Sequence, residues 1–483
     1  AIGYRIGKNI LAKNSNDMKS TNFGHGCIID AGSSGSRIYL YRWPKEDEGD
    51  EFQSSSLAKV EQEALFSDER SVGISNERGI DLLDELLSAA KAALPSDVDP
   101  RNVPIYLGAT AGMRLLNPES FEADVILTRI RSRLHASGFL FHDDWARTIS
   151  GDEESVYAWL VVNYLKNDGS FPIDSSVTYG ALDLGGASTQ ISLMVSNNHF
   201  ADEEGQGDRL FPLRIGNMQY SIYTQSYLYH GADQARMQYD TKFVLPLSKV
   251  NPCYPVGYTN PDTGVYGSSN WDECFNSVAK LFEEHSNLRG GEGGDSFAIV
   301  APPVDDVQQQ RFIAMSVFVF VWDFVGLKIG TEADDLNTLK DRAGHICNLT
   351  HAQQTTQYNL QMQGRPAGRK TNKPFAQCFN AAFSFHLLSK GYEFPVSETP
   401  IEIYYDINGG KVQWALGLML VEANKLNWLN KESFEVDIMN SSTDNATHSY
   451  IFMMTLILLL FMLGIPVRSG RMVARLREKD PNV

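Results

Sequence analysis

Basic residues are scarce in this chain. Its 483 residues carry 42 Lys and Arg against 59 Asp and Glu, a formal charge of −17. That balance excludes binding along a nucleic-acid backbone, which needs a basic surface. Cysteine is scarce too, with five in all. Cys253 with Cys274 and Cys347 with Cys378 are close enough in sequence to form local bridges, and Cys27 reads as a buried free thiol inside an apolar strand. Long apolar runs are nearly absent. Tyr450 to Val467 holds no charge over 18 residues, about 27 Å of helix and close to the thickness of a bilayer core. Arg311 to Gly326 is as apolar but shorter, and carries Arg311 and Asp323, so it reads as a core helix. No apolar stretch near Ala1 is long enough for a signal or anchor, and the sequence opens without Met; the expectation is a preceding segment removed or missing.

The one long run orients the chain. Arg468, Arg471, Arg475, Arg477 and Lys479 follow it, against only Glu478 and Asp480. The positive-inside tendency places that end in the cytosol and everything before Tyr450 in a lumen or outside. Acceptor triplets for N-glycosylation at Asn348, Asn440 and Asn445 and the paired cysteines suit an oxidising compartment.

What is present is a short pattern used twice. Ile28–Leu40 and Ala181–Leu193 each run from apolar residues to an Asp, through a Gly/Ser-rich turn, into a second apolar run. That is strand, tight turn, strand, with Asp30 or Asp183 where the first strand ends. Glycine lets the turn approach a ligand closely, and its amides can point at an anion. The copies lie 183 − 30 = 153 residues apart, which suggests two related lobes gripping one phosphate chain. Between them, Val103–Leu107 reads as a strand leading to Thr110 at the start of a helical turn. Ser150 to Glu154 opens another helix, with Ser150 and Glu153 forming a capping box. Glu154 points about 100° away and is left for chemistry. Asp81–Leu94, Asn380–Lys390 and Val412–Leu426 read as helices and Ile401–Ile407 as a strand. Residues 197–294 read as a long irregular stretch.

Five blocks in this order resemble the conserved regions of the apyrase, or nucleoside triphosphate diphosphohydrolase, family: Asp30–Arg37, Ala109–Arg114, Ser150–Trp159, Asp183–Gln190 and Trp414–Gly417. The resemblance spans residues 24–427. It implies an α/β fold of two ribonuclease-H-like lobes of the actin and sugar-kinase superfamily, with the active site in the cleft between them. On that basis residues 1–23 are an N-terminal arm and 24–149 lobe I, completed by 408–427. Lobe II is 150–407. A stalk (428–449), a transmembrane helix (450–467) and a cytosolic basic tail (468–483) follow.

The same resemblance implies hydrolysis of terminal phosphates from nucleoside di- and triphosphates. Glu154 matches the general base, and Ser188 and Gln190 the residues that orient the attacking water. Gly32, Ser33, Ser34, Gly35 and Ser36 in one turn, Gly185, Gly186, Ala187 and Ser188 in the other, and Thr110 match phosphate contacts. Asp30 and Asp183 match residues that hold one Ca²⁺ or Mg²⁺ largely through water. Phe320 (or Val319), Lys390 and Tyr392 are the counterparts of base contacts. Arg37 and Arg114 are weighed as phosphate clamps and left out of the catalytic set. Gly35, Ser36 and Arg37, with only two bridges, resemble the endomembrane, Golgi-type members more than those at the cell surface. Two rivals are an actin-fold kinase, which would exclude water rather than activate it, and a non-catalytic nucleotide-binding receptor, which would lack Glu154 or a cleft Asp.

Overall fold

An apolar run that is buried on both faces belongs in the middle of a sheet, and Cys27–Ile29 is such a run within the strand Phe23–Ala31 (β1). The computed structural model describes residues 22–45, 58–70, 72–75, 77–171, 177–195, 210–215, 218–283, 310–332, 335–363 and 373–428. Residues 1–21 of the arm, 429–449 of the stalk, the apolar segment 450–467, the basic tail and the triplets at Asn440 and Asn445 lie outside the described residues, while Phe23 already belongs to β1 and Trp428 to the last described helix. Among those described, no helix is long and apolar enough to cross a membrane.

The first sheet contains β1, Ser36–Pro44 (β2), Phe66–Arg70 (β3), Ile105–Ala109 (β4) and Ala146–Thr148 (β5), in the order β3-β2-β1-β4-β5. β1 and β2 form the expected antiparallel hairpin, whereas β4 and β5 add in parallel. Helices Glu77–Ala93 (α1) and Glu122–Ala136 pack on its outer face around Leu83, Leu86, Ile130 and Leu134.

The second sheet repeats this plan. It contains Gly180–Leu184 (β6), Ser188–Met194 (β7), Leu210–Ile215 (β8), Met218–Leu228 (β9), Phe312–Ser316, Thr331–Glu332 and Ile401–Ile403. The β9-β7-β6 meander is antiparallel, and Phe312–Ser316 and then Ile401–Ile403 join in parallel. Strand order and direction therefore match the first sheet. This corrects two sequence readings. The stretch 197–294 is not wholly irregular, since it supplies β8, β9 and the helices Ala232–Tyr239 and Trp271–Glu283. Arg311–Gly326 is not one helix: Phe312–Ser316 is a buried strand, and the chain turns at Ser316 (φ 61°) into helix Val317–Val325. An apolar run buried on all sides does not distinguish strand from helix, so periodicity could not divide it.

Helix Gly151–Lys166 (α2) and the last described helix, Trp414–Trp428, lie between the two sheets. Trp414, Leu416 and Met419 share one buried cluster with Ile28, Tyr39 and Tyr106 of the first sheet, Trp159 and Val162 of α2, and Ile313 of the second sheet. Glycines make room for this return. A Cβ on Gly108 would stand 2.7 Å from the Trp414 ring, and one on Gly26 2.8 Å from the Met419 methyl. Both cysteine pairs are bridged, Cys253–Cys274 and Cys347–Cys378, and Cys27 is free and buried. Changing Cys253 or Cys274 to Ser should destabilise the protein by a similar amount, about 2–4 kcal/mol. The double variant should lose little more; additive losses in denaturant titration would contradict a single shared bond.

Candidate active site

Two hairpins with turns of equal length present equivalent residues. In the first, Asp30 stands opposite Arg37; in the second, Asp183 stands opposite Gln190. The turns close alike, Gly32 N–H donating to the Gly35 carbonyl at 3.0 Å and Gly185 N–H to the Ser188 carbonyl at 3.0 Å. The turns also approach each other. A Cβ on Gly186 would lie 3.1 Å from Ser33 Oγ, so residues of both turns meet across the interlobe cleft. The second turn is fixed from behind, because the N–H groups of Ala232 and Asp233 donate to the Gly185 and Gly186 carbonyls (2.9 Å each). The first is wedged between glycines: a Cβ on Gly73 would stand 2.4 Å from the Ser33 carbonyl oxygen, and one on Gly112 2.8 Å from Ser33 Cα.

Glu154 sits in the first turn of α2, and the capping box assigns its neighbour elsewhere. Ser150 Oγ accepts from Glu153 N–H, Glu153 Oε2 accepts from Ser150 N–H, and Arg147 makes two further bonds to Glu153. Glu154 turns instead into the cleft, 7 % exposed. Its Oε2 accepts from Arg114 Nη2 at 2.8 Å and from Gln190 Nε2 at 3.3 Å. Gln190 Nε2 also donates to Ser188 Oγ (2.7 Å) and Ser226 Oγ (3.1 Å), and Arg114 Nη2 to Ser188 Oγ (3.3 Å). The structure thus brings Glu154, Ser188 and Gln190 into one network and adds two members. Arg114, weighed on the sequence and set aside, is one. Ser226 is the other, and it lay hidden in the stretch read as irregular.

Electrostatics sets these carboxyls apart. Burial raises Glu154 to about 7, with Arg114 opposing the rise and the Asp183 and Asp30 charges adding to it. Burial likewise raises Asp30 to about 6, opposed by Arg37, with Asp183 reinforcing the rise. Asp183 is raised by burial and held partly down by a hydrogen bond from Ser316. Ser316 itself has a φ of 61°, unusual for a residue with a side chain. One oxygen of each aspartate, Asp30 Oδ1 and Asp183 Oδ1, is buried without a hydrogen-bond partner. Two such oxygens suit a hard divalent cation that keeps much of its water. No group of three or more His, Cys, Asp or Glu capable of holding a metal occurs among the described residues, so water or phosphate oxygens would have to complete the shell.

Other predicted residues fall differently. Thr110 is buried at the end of β4 and makes no side-chain cap bond, but the helix it begins is only four residues long, too short for a strong dipole. Ser36 is buried and Ser34 exposed. Phe320 is half-buried in helix Val317–Val325, and Lys390 is exposed on the turn Leu387–Gly391. Tyr392 does not fit a base contact. It is 1 % exposed, with its hydroxyl 3.1 Å from Thr189 Oγ1, so it props the second hairpin from within lobe II.

A duplicated α/β lobe whose turns converge on buried carboxylates defines a phosphate-handling fold. The chain belongs to the GDA1/CD39 (nucleoside phosphatase) family, whose model matches residues 16–438. It is 30 % identical to ectonucleoside triphosphate diphosphohydrolase 1 of Bos taurus, with 86 % of this chain and 84 % of the relative covered. It is 28 % identical to ectonucleoside triphosphate diphosphohydrolase 2 of Gallus gallus, with 88 % of each covered. Among solved structures, a nucleoside triphosphate hydrolase of Neospora caninum shares the fold, with a TM-score of 0.56 at 14 % identity over 86 % of this chain and 95 % of that one. The chain is therefore an enzyme, a nucleoside phosphatase.

Proposed function

We propose that the protein hydrolyses terminal phosphates of nucleoside di- and triphosphates by direct attack of water. The observation that carries this reading is the position of Glu154, buried, bonded to Gln190 and Arg114, and turned toward the cleft where the two phosphate turns meet. Amides of Gly32–Ser36 and Gly185–Ser188 cradle the phosphates. Ser188 and Gln190 orient a water in line with the terminal phosphorus, and Glu154 accepts a proton from it as the new P–O bond forms. The bridging P–O bond breaks, and the shortened nucleotide leaves with the electron pair. A carboxyl near 7 suits a base that works close to neutrality. Asp30 and Asp183 would hold a divalent cation, Ca²⁺ or Mg²⁺, which when bound neutralises phosphate charge. The names of the relatives, both triphosphate diphosphohydrolases, support the substrate class.

Placement is part of the same reading. The apolar segment 450–467 and the basic residues after it support a membrane-anchored protein whose catalytic lobes face a lumen or the outside. The Gly35–Arg37 pattern favours Golgi or other endomembranes, where it would clear nucleoside diphosphates, with the cell surface as the alternative. Phosphate release from a panel of nucleoside tri- and diphosphates, with Mg²⁺ or Ca²⁺, tests the function directly. Release of orthophosphate without any acceptor alcohol is expected; release only in the presence of a sugar or acid acceptor would replace the hydrolase reading with a kinase.

A further inference from the structure

The two hairpins share turn length, turn closure and register, yet the residue facing the aspartate differs. In the second copy it is the neutral Gln190; in the first it is a cation, Arg37. Arg37 Nη1 lies 3.6 Å from Asp30 Oδ2, and Nη2 lies 2.9 Å from Glu69 Oε1. A Cβ on Gly32 would stand 3.7 Å from Nη1, so the guanidinium also borders the first phosphate turn. Glu69 faces Arg37 from the next strand, β3, and secures it from the outer side. Asp30 consequently has one oxygen facing a guanidinium and one buried without a partner.

Charge decides what this arrangement can do. Asp30, Asp183, Glu154 and Glu69 contribute four carboxylates when ionised, and Arg37, Arg114 and the nearby Lys411 three cations. One net negative charge remains, little to attract a doubly charged ion out of water. A guanidinium a few ångströms from that ion repels it, enough to weaken affinity tenfold or more even at the high effective dielectric of a cleft. The same guanidinium attracts phosphate oxygens at Gly32.

We propose that Arg37 is the charge-balancing residue of the cation site: it keeps affinity for a free divalent cation low and makes the cation enter together with nucleotide phosphates. This rests on the assignment of Asp30 and Asp183 to the cation. Arg37 is a positioning residue for Asp30 and a specificity determinant for the form in which substrate arrives.

The test is calorimetric titration of the purified protein with Mg²⁺ or Ca²⁺ alone, and with a nucleoside diphosphate in EDTA. Arg37→Gln, which copies the second hairpin, should bind the free cation at least ~10-fold more tightly and the metal-free diphosphate about 10-fold more weakly. Arg37→Lys keeps the charge and should keep cation affinity low. Glu69→Gln leaves the guanidinium to Asp30 alone and should lower cation affinity further. Unchanged or weaker cation binding by Arg37→Gln overturns the proposal, as does Arg37→Lys behaving like Arg37→Gln. Melting in EDTA reports whether each variant folds; if Arg37→Gln does not, the Lys and Glu69 variants decide. Asp183→Asn separates the two levels. If it binds cation as well as the parent, the underlying assignment fails; if it loses the cation while Arg37→Gln is unchanged, only the role of Arg37 fails.

Discussion

Glu154→Gln should lower phosphate release by at least ~10²-fold, with the KM for nucleotide little changed. That is the usual scale for losing a general base, and the variant keeps the shape of a side chain held between Arg114 and Gln190. A drop in kcat at constant KM separates loss of chemistry from loss of binding. Turnover within a few-fold of the parent would remove Glu154 from the reaction. Its pH dependence offers a second check. The acid limb of kcat/KM should fall near 7, because the base must be ionised to accept a proton. Arg114→Met should move that limb to higher pH, since the guanidinium favours the ionised form.

The second large effect concerns the aspartates. Asp30→Asn and Asp183→Asn should each reduce turnover by ~10²–10³-fold, a loss comparable to removing a preorganised electrostatic contact from a reacting phosphate. Chelation of divalent ions should abolish release, and persistent activity in EDTA would take the cation out of the reaction. Stability should move the other way. Asp30 rises from 3.8 to about 6 and Glu154 from 4.5 to about 7 on folding. The folded protein therefore binds more protons than the unfolded chain between about pH 4 and 7, and the metal-free enzyme loses stability as pH rises through that window. In EDTA, Asp30→Asn should melt higher than the parent at pH 8 and nearly level with it at pH 4. Cation should stabilise the parent by about 2.7 kcal/mol at a hundred times its dissociation constant, and at one fixed cation concentration by more at pH 8 than at pH 5. An Asp30→Asn variant that melts lower than the parent at pH 8 would show that burial does not dominate this carboxyl.

The sequence was most legible where local chemistry decides structure. The two hairpins, the capping box and the leftover Glu154 follow from turn glycines, apolar alternation and helix geometry, all of which act within a few residues. Arg37 and Arg114 were visible as residue types, but their roles depend on partners 32 and 40 positions away, Glu69 and Glu154. Ser226 gave less sign still, because β9 is a half-buried strand rich in Tyr, Ser and Thr that resembles a polar loop. Tyr392 shows the opposite failure. The family resemblance offered Tyr392, beside Lys390, as a base contact, whereas the tertiary fold turns it inward onto Thr189. The segment 312–325 was misread because its apolar character is continuous, and only the Ser316 backbone reveals where strand becomes helix.

The return of helix Trp414–Trp428 onto the first sheet has a consequence for biosynthesis. Gly26 and Gly108 leave notches into which Met419 and Trp414 pack. The lobe translated first therefore cannot complete its core until the last described helix has left the ribosome, long after the strands that need it. Domains made early usually close early; here the N-terminal sheet must wait with an open apolar face. Nascent chains halted before residue 414 should be chaperone clients, because inner-face residues of both sheets bury against that helix.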